Sequence, residues 1–260
     1  MDLHLLVAGL ALVAGFLSGL LGIGGGIIMA PLLLYVPPLF GLAPLSMHAV
    51  AGLTIVQGLV ACVSGVVVHR RFNCVSGGLT CWMGLTIFVA ALFGGAYAGQ
   101  VTNDVLLLLI FGLMALVAAI LIFVPAVADK GNVELAGFSF SRARAVLTAG
   151  SVGVLGGMVG QGGSFILIPL MTTFVRVPTR IAIGSNMAIV FLSTLAAFLG
   201  KAFTGQIVWP LAIAIAVAVV PAVQLGGMLS HRLPVARLRM LLGTCIGLAA
   251  VRIGFSVFGY

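Results

Sequence analysis

The sequence predicts an all-α integral membrane protein: eight hydrophobic helical segments in two inverted repeats, the first segment of each repeat broken at a glycine-rich motif. Three observations predict it. First, 62% of the 260 residues are hydrophobic and only 6% are charged, whereas a soluble domain carries about 25% charged residues. Second, the apolar runs last roughly 20 residues, as a spanning helix needs, and lack the alternation over about 10 residues that a barrel strand would show. Third, residues 15–32 (GFLSGLLGIGGGIIMAPL) are echoed by residues 153–170 (GVLGGMVGQGGSFILIPL) at an offset of 138.

The segments run in order 3–36, 45–68, 77–99, 104–128, 143–175, 180–200, 207–229 and 238–258. The first is long and interrupted at Gly22 and Gly24-Gly25-Gly26. It lacks the Lys/Arg n-region of a secretory signal, so it is read as part of the bundle. Three uninterrupted spans follow. The linker 129–142 (DKGNVELAGFSFSR) is the most polar stretch and divides the chain into a first repeat, 1–128, and a second, 143–260. Segment 143–175 is again long and broken, with three further spans behind it. Trp82 and Trp209 stand near segment starts, as interfacial anchors do.

Net charge is +8, from 12 Lys+Arg against 4 Asp+Glu. The cations sit in short loops between apolar runs, so they report topology rather than a nucleic-acid partner. If each broken segment enters and returns on one side, Arg70, Arg71, Lys130, Arg142, Arg144, Arg176, Arg180, Arg232, Arg237 and Arg239 fall together, opposed by Lys201 and Arg252. Single crossings throughout divide the cations about seven to five. The ten-to-two division fits the positive-inside rule better. It puts the basic loops and the linker in the cytoplasm and both termini outside. Charge parity leaves open whether each broken segment is a re-entrant hairpin or a pair of short crossings.

Paired glycine-interrupted segments point to a transporter's substrate site. Glycine admits φ > 0 and lets a ligand approach the backbone. New helices are expected near Ile27, after Gly24, Gly25 and Gly26, and near Phe165, after Gln161, Gly162, Gly163 and Ser164. A helix start offers unpaired N–H groups and a positive dipole end, which suit an anion. Gly15, Gly19, Gly153 and Gly157 have small-xxx-small spacing and read as packing positions.

The four carboxylates, Asp2, Asp104, Asp129 and Glu134, all lie at segment ends or in loops. A carboxylate cage for a cation is therefore not expected, nor is a metal or any other cofactor. The polar groups inside the apolar segments are mostly neutral: Thr54, Gln57, Gln161, Ser164, Ser185, Asn186 and Gln224. Such groups must face protein or a cavity; they serve either a small oxyanion or interhelical hydrogen bonds. His48, Lys201 and Arg252 are candidates for guiding a proton or an anion, against plainer roles in capping and snorkelling. His69 and His231 stand beside basic loops and read as part of them. The cysteines, Cys62, Cys74, Cys81 and Cys245, have no metal-type spacing and read as unpaired thiols.

GLLGIGGGIIMAPLL, its partner GMVGQGGSFILIPLM and the later PTRIAIGSNMAIVFLST resemble the sulfite exporter TauE/SafE family over nearly the whole chain. The resemblance implies a bacterial inner-membrane permease for sulfite, an organosulfonate or a related sulfur-containing anion. It carries over to Gly22, Gly24, Gly25, Gly26 and Pro31, to Gly160, Gly162, Gly163 and Pro169, and to Gly184-Ser185-Asn186. The expected partners are that small anion, the lipid bilayer and a second copy of the chain as a homodimer. An enzyme is not expected, because no carboxylate base or His/Glu ligand pair lies within a span. No Walker-type loop is present, so energy would come from a gradient. An anion channel or a non-transporting membrane subunit is the alternative.

Overall fold

The computed structural model describes residues 3–98, 104–124, 139–159, 163–203 and 207–257. Ten helices occur among them: α1 (Leu3–Leu21), α2 (Gly26–Leu39), α3 (Met47–Arg71), α4 (Gly77–Ala98), α5 (Asp104–Phe123), α6 (Arg142–Val159), α7 (Ser164–Leu170), α8 (Thr179–Phe203), α9 (Trp209–Arg232) and α10 (Val235–Val257). A π-helical turn, Met171–Val175, extends α7. No strand occurs among the described residues. Each broken segment is thus two helices, α1 with α2 and α6 with α7. Among the described residues, the helices long and apolar enough to cross a membrane are Leu3–Leu21, Gly52–Arg71, Gly77–Gly94 and Trp209–Arg232.

Local chemistry sets the helix ends. The Ser46 hydroxyl caps α3 by accepting the Ala49 N–H at 3.2 Å. Proline opens α9 and shapes α7, where Pro169 removes a backbone donor and the helix widens into the π turn. The Pro169 carbonyl stays satisfied, since Thr172 and Thr173 donate their hydroxyls to it at 3.0 and 2.7 Å. Backbone away from water must be satisfied internally in this way.

The two halves pack in corresponding ways. α1 lies against α9 as α6 lies against α4; α3 meets α8 and α9 as α8 meets α3 and α4; α5 pairs with α10. Exchanging α1–α5 with α6–α10 returns these pairings, although α1 also packs on α3 more closely than α6 does on α8. The glycines follow the same rule. A Cβ on Gly19 would strike the Val223 carbonyl, and one on Gly157 the Ala91 carbonyl. Gly226 of α9 approaches Phe16 as Gly94 of α4 approaches Val154. Lipid tails give no hydrophobic drive to pair helices, so close backbone approach through small residues holds these crossings.

The charged ends also gather. Arg180, at the start of α8, donates to the carbonyls of Ser230, His231 and Leu233 at the end of α9. Ser185 of α8 accepts the Ser76 N–H at the start of α4. Arg142 of α6 stands 5.5 Å over the Trp82 ring of α4. Arg239 of α10 donates to Ile122 at the end of α5, 2.8 Å away, and to Val124 just beyond it. The ends of α3, α5 and α9 and the starts of α4, α6, α8 and α10 therefore share one basic end. The outward faces carry large apolar side chains such as Leu5, Phe93, Val217 and Leu248, a pattern suited to lipid.

Candidate functional site

The two breaks lie in the core. Leu21, Ile23 and Ile27 of the first pack in one cluster with Phe165, Ile166, Leu167 and Ile168 of the second. Backbone conformation explains the glycines that start the return helices. Gly25, the N-cap of α2, has φ 80°, and Gly163, the N-cap of α7, has φ 61°. Both are left-handed, which costs a side-chain-bearing residue roughly 1–2 kcal/mol. The helices start at Gly26 and Ser164, each one residue before the expected position.

Hydrogen bonds join the breaks. The Ser164 hydroxyl donates to the Ile23 carbonyl at 2.7 Å. The Asn186 amide of α8 donates to the Gly22 carbonyl at 2.6 Å and to the Ser164 carbonyl at 3.2 Å. Thr54 and Asn186 stand at matching places, each seven residues past the first residue of α3 and α8. Gln57 of α3 lies so close to Gly25 that a Cβ there would run into its amide. Both Gln57 polar atoms are buried and unpartnered, and so is Asn186 Oδ1. An unpaired buried amide costs about 1–3 kcal/mol. At the start of α2, the Gly25 carbonyl takes the Ile28 and Met29 N–H groups at 3.1 and 2.9 Å, while the earliest N–H groups of a helix have no intrahelical acceptor. Backbone N–H groups, a free amide and the positive end of α2 thus converge at Gly25, a combination fit to hold a small anion.

The structure brings together Gly24, Gly25, Gly26, Gln57, Gly163, Ser164 and Asn186 from the expected set. Thr54 is buried one turn before Gln57. Ser185 turns elsewhere, its hydroxyl committed to the start of α4. Gln161 and Gly162 lie outside the described residues. His48, Lys201 and Arg252 fall in α3, α8 and α10, with side chains outside the described part. Among the described residues, no group of three or more His, Cys, Asp or Glu is placed to hold a metal.

His69 and His231 are not loop residues. The His69 ring is buried in the last turn of α3, with Nε2 3.1 Å from the Gly19 carbonyl. The His231 ring lies 5.2 Å from it, between centroids, and stacks on Phe72 at 3.8 Å. Nothing local in the sequence joins positions 69 and 231; the α3–α9 packing does.

Residues 7–253 match the profile of the family described as sulfite exporter TauE/SafE. The chain belongs to that family. It is 24% identical over 238 residues to "Probable membrane transporter protein YunE" of Bacillus subtilis, covering 85% of this chain and 84% of the relative. A "Probable membrane transporter protein" of Xylella fastidiosa is 29% identical over 251 residues, covering 94% and 90%. One of Methanocaldococcus jannaschii is 21% identical over 257 residues, covering 94% of each. No solved structure matches. A TauE/SafE chain with this helix content and these apolar faces is a multi-pass membrane protein of a transporter family.

Proposed function

We propose that this TauE/SafE chain is a secondary transporter that carries a small sulfur-containing anion, sulfite or an organosulfonate, across the bacterial inner membrane. The observation that carries the proposal is the unpartnered Gln57 amide lying against Gly25 at the start of α2. The anion sits there, accepting from Gln57 Nε2 and the first N–H groups of α2, with Asn186 tying this break to Ser164 of the other. Thr54, Gly24, Gly26 and Gly163 complete the surround; Gln161 and Gly162 are proposed as substrate-binding from the sequence motif alone, and His48, Lys201 and Arg252 guide anion or proton at the far end. Neutral donors hold an oxyanion without trapping it behind a permanent ion pair.

The halves are inverted repeats, and alternating access follows from their equivalence. The matched pairings support this, because exchanging the roles of the halves would turn closure at the basic end into closure at the other. The basic end faces the cytoplasm by the positive-inside rule. Proteoliposomes loaded with unlabelled sulfite and given labelled sulfite outside test the proposal. Saturable counterflow supports a carrier. Flux without saturation or counterflow would make the chain a channel, and no flux would make it a non-transporting subunit.

A further inference from the structure

We propose that His69 and His231 form a proton-binding site that takes up one proton between them when the basic end of the bundle opens. Its effect on transport rests on the reading above; the binding of the proton does not.

The tautomers follow from the partners. The Gly19 carbonyl 3.1 Å from His69 Nε2 can only accept, so Nε2 carries the hydrogen and Nδ1 is a bare acceptor. That Nδ1 is buried with no partner. His231 Nδ1 lies 3.9 Å from Cys74 Sγ, and the Cys74 thiol donates to the Phe72 carbonyl at 3.4 Å. Burial pushes the Cys74 thiol above its ordinary value, against the opposing charge of Arg180, so the sulfur keeps its hydrogen. The sulfur then receives His231 Nδ1–H, which leaves His231 Nε2 as a second bare acceptor, likewise buried without a partner. Two imidazoles with centroids 5.2 Å apart each have one bare nitrogen. A proton on either ring fills one of them.

One proton suffices and a second is opposed. A charged first ring would repel a charge on the other, and Arg180 of α8 adds to the repulsion while its guanidinium stays on three carbonyls at the end of α9. The loop after α3 contributes Cys74, and α1 presents the Gly19 carbonyl. Arg70, Arg71 and Arg232 flank the pair but are exposed. Among the described residues, no carboxylate stands at this end to neutralise a pair of charges. The site also lies on a joint that moves if the end opens. His69 holds α1 at Gly19, where α1 crosses α9. Water reaching that joint stabilises an imidazolium that a closed apolar interface disfavours, so pH on the basic side biases the open state.

The test uses the full chain, labelled with 15N-histidine in nanodiscs and titrated over about pH 4–8, where histidine changes charge. His69→Gln and His231→Gln assign the resonances, and glutamine can still donate to the Gly19 carbonyl. The wild-type pair should take up one proton, each single variant one, and the double variant none. Uptake of two independent protons by the wild-type pair, or of none, would overturn the proposal. In proteoliposomes, the dependence of sulfite flux on pH on the basic side should change in His69→Gln, leaving only the part set by the bisulfite–sulfite titration of the substrate itself. An unchanged pH profile in His69→Gln overturns the coupling. No wild-type flux beside a shared titration overturns the sulfite reading and leaves the proton site standing.

Discussion

Replacing Asn186 by leucine removes a side chain that donates to both breaks, at 2.6 Å to Gly22 and 3.2 Å to Ser164. Leucine keeps the same number of side-chain heavy atoms and the branch at Cγ, but its methyl groups are bulkier, so at this buried site some overpacking adds to the loss of hydrogen bonds. Side-chain hydrogen bonds in membrane proteins average about 0.6 kcal/mol and reach about 1.7. The bond to Gly22 is short and buried, which puts it near the upper figure. The Ser164 carbonyl opens α7 and keeps its place in the helix ladder, but Gly22 lies between helices, and a buried carbonyl left without a donor costs about 1–3 kcal/mol. The expected destabilisation is about 2–3 kcal/mol on these figures. Reversible unfolding in mixed micelles by titration with dodecyl sulfate, followed by helicity, measures it. Thr244→Val is the control, since its exposed hydroxyl bonds only to Leu241 of its own helix at 2.9 Å; it should change stability by less than about 0.5 kcal/mol. An Asn186→Leu protein as stable as that control would refute the claim that Asn186 holds the breaks together.

Other perturbations separate packing from the site. Gly19→Ala drives a Cβ into the Val223 backbone and should cost about 3 kcal/mol, whereas Gly9→Ala meets no heavy atom within 4 Å and should be neutral or stabilising by up to about 1 kcal/mol; detergent thermal melts that rank the two equally would contradict the α1–α9 crossing. Arg180→Met frees the Ser230, His231 and Leu233 carbonyls, so amide exchange at the end of α9 should quicken while the middle of α9 stays protected. Uniform exchange along α9, unchanged from wild type, would show that Arg180 holds nothing there.

Much of this architecture is legible in the sequence because glycine is irreplaceable at the two breaks. Gly25 and Gly163 have φ of 80° and 61°, and repeated glycines at matched places are hard to explain except by backbone demand. The closely packed glycines of α1 and α6 were legible for a similar reason, since their spacing lines one helix face. The family resemblance rested on these same motifs. Pairings across the chain were less visible. Ser185 and Asn186 are adjacent in sequence, yet helix geometry turns them about 100° apart, one to the start of α4 and the other to the breaks. The sequence shows Gln57 as a polar residue within an apolar segment, but its position against Gly25 depends on how α3 crosses the first break. His69 and His231 neighbour arginines and so read as loop residues in the sequence; only the meeting of α3 and α9 draws their rings inward. The role of the hydroxyls that satisfy Pro169 is not visible in the sequence, because the widened turn that calls on them has no simple sequence mark.

The most direct test is calorimetric binding of sulfite to the detergent-solubilised protein, wild type against Gln57→Leu. Loss of a buried donor to a charged ligand is worth about 1.5–3 kcal/mol, so Kd should rise by at least tenfold while the thermal melt of the ligand-free protein does not fall. Equal affinity in the two proteins would mean that sulfite, if it binds, does so away from Gly25 and the start of α2.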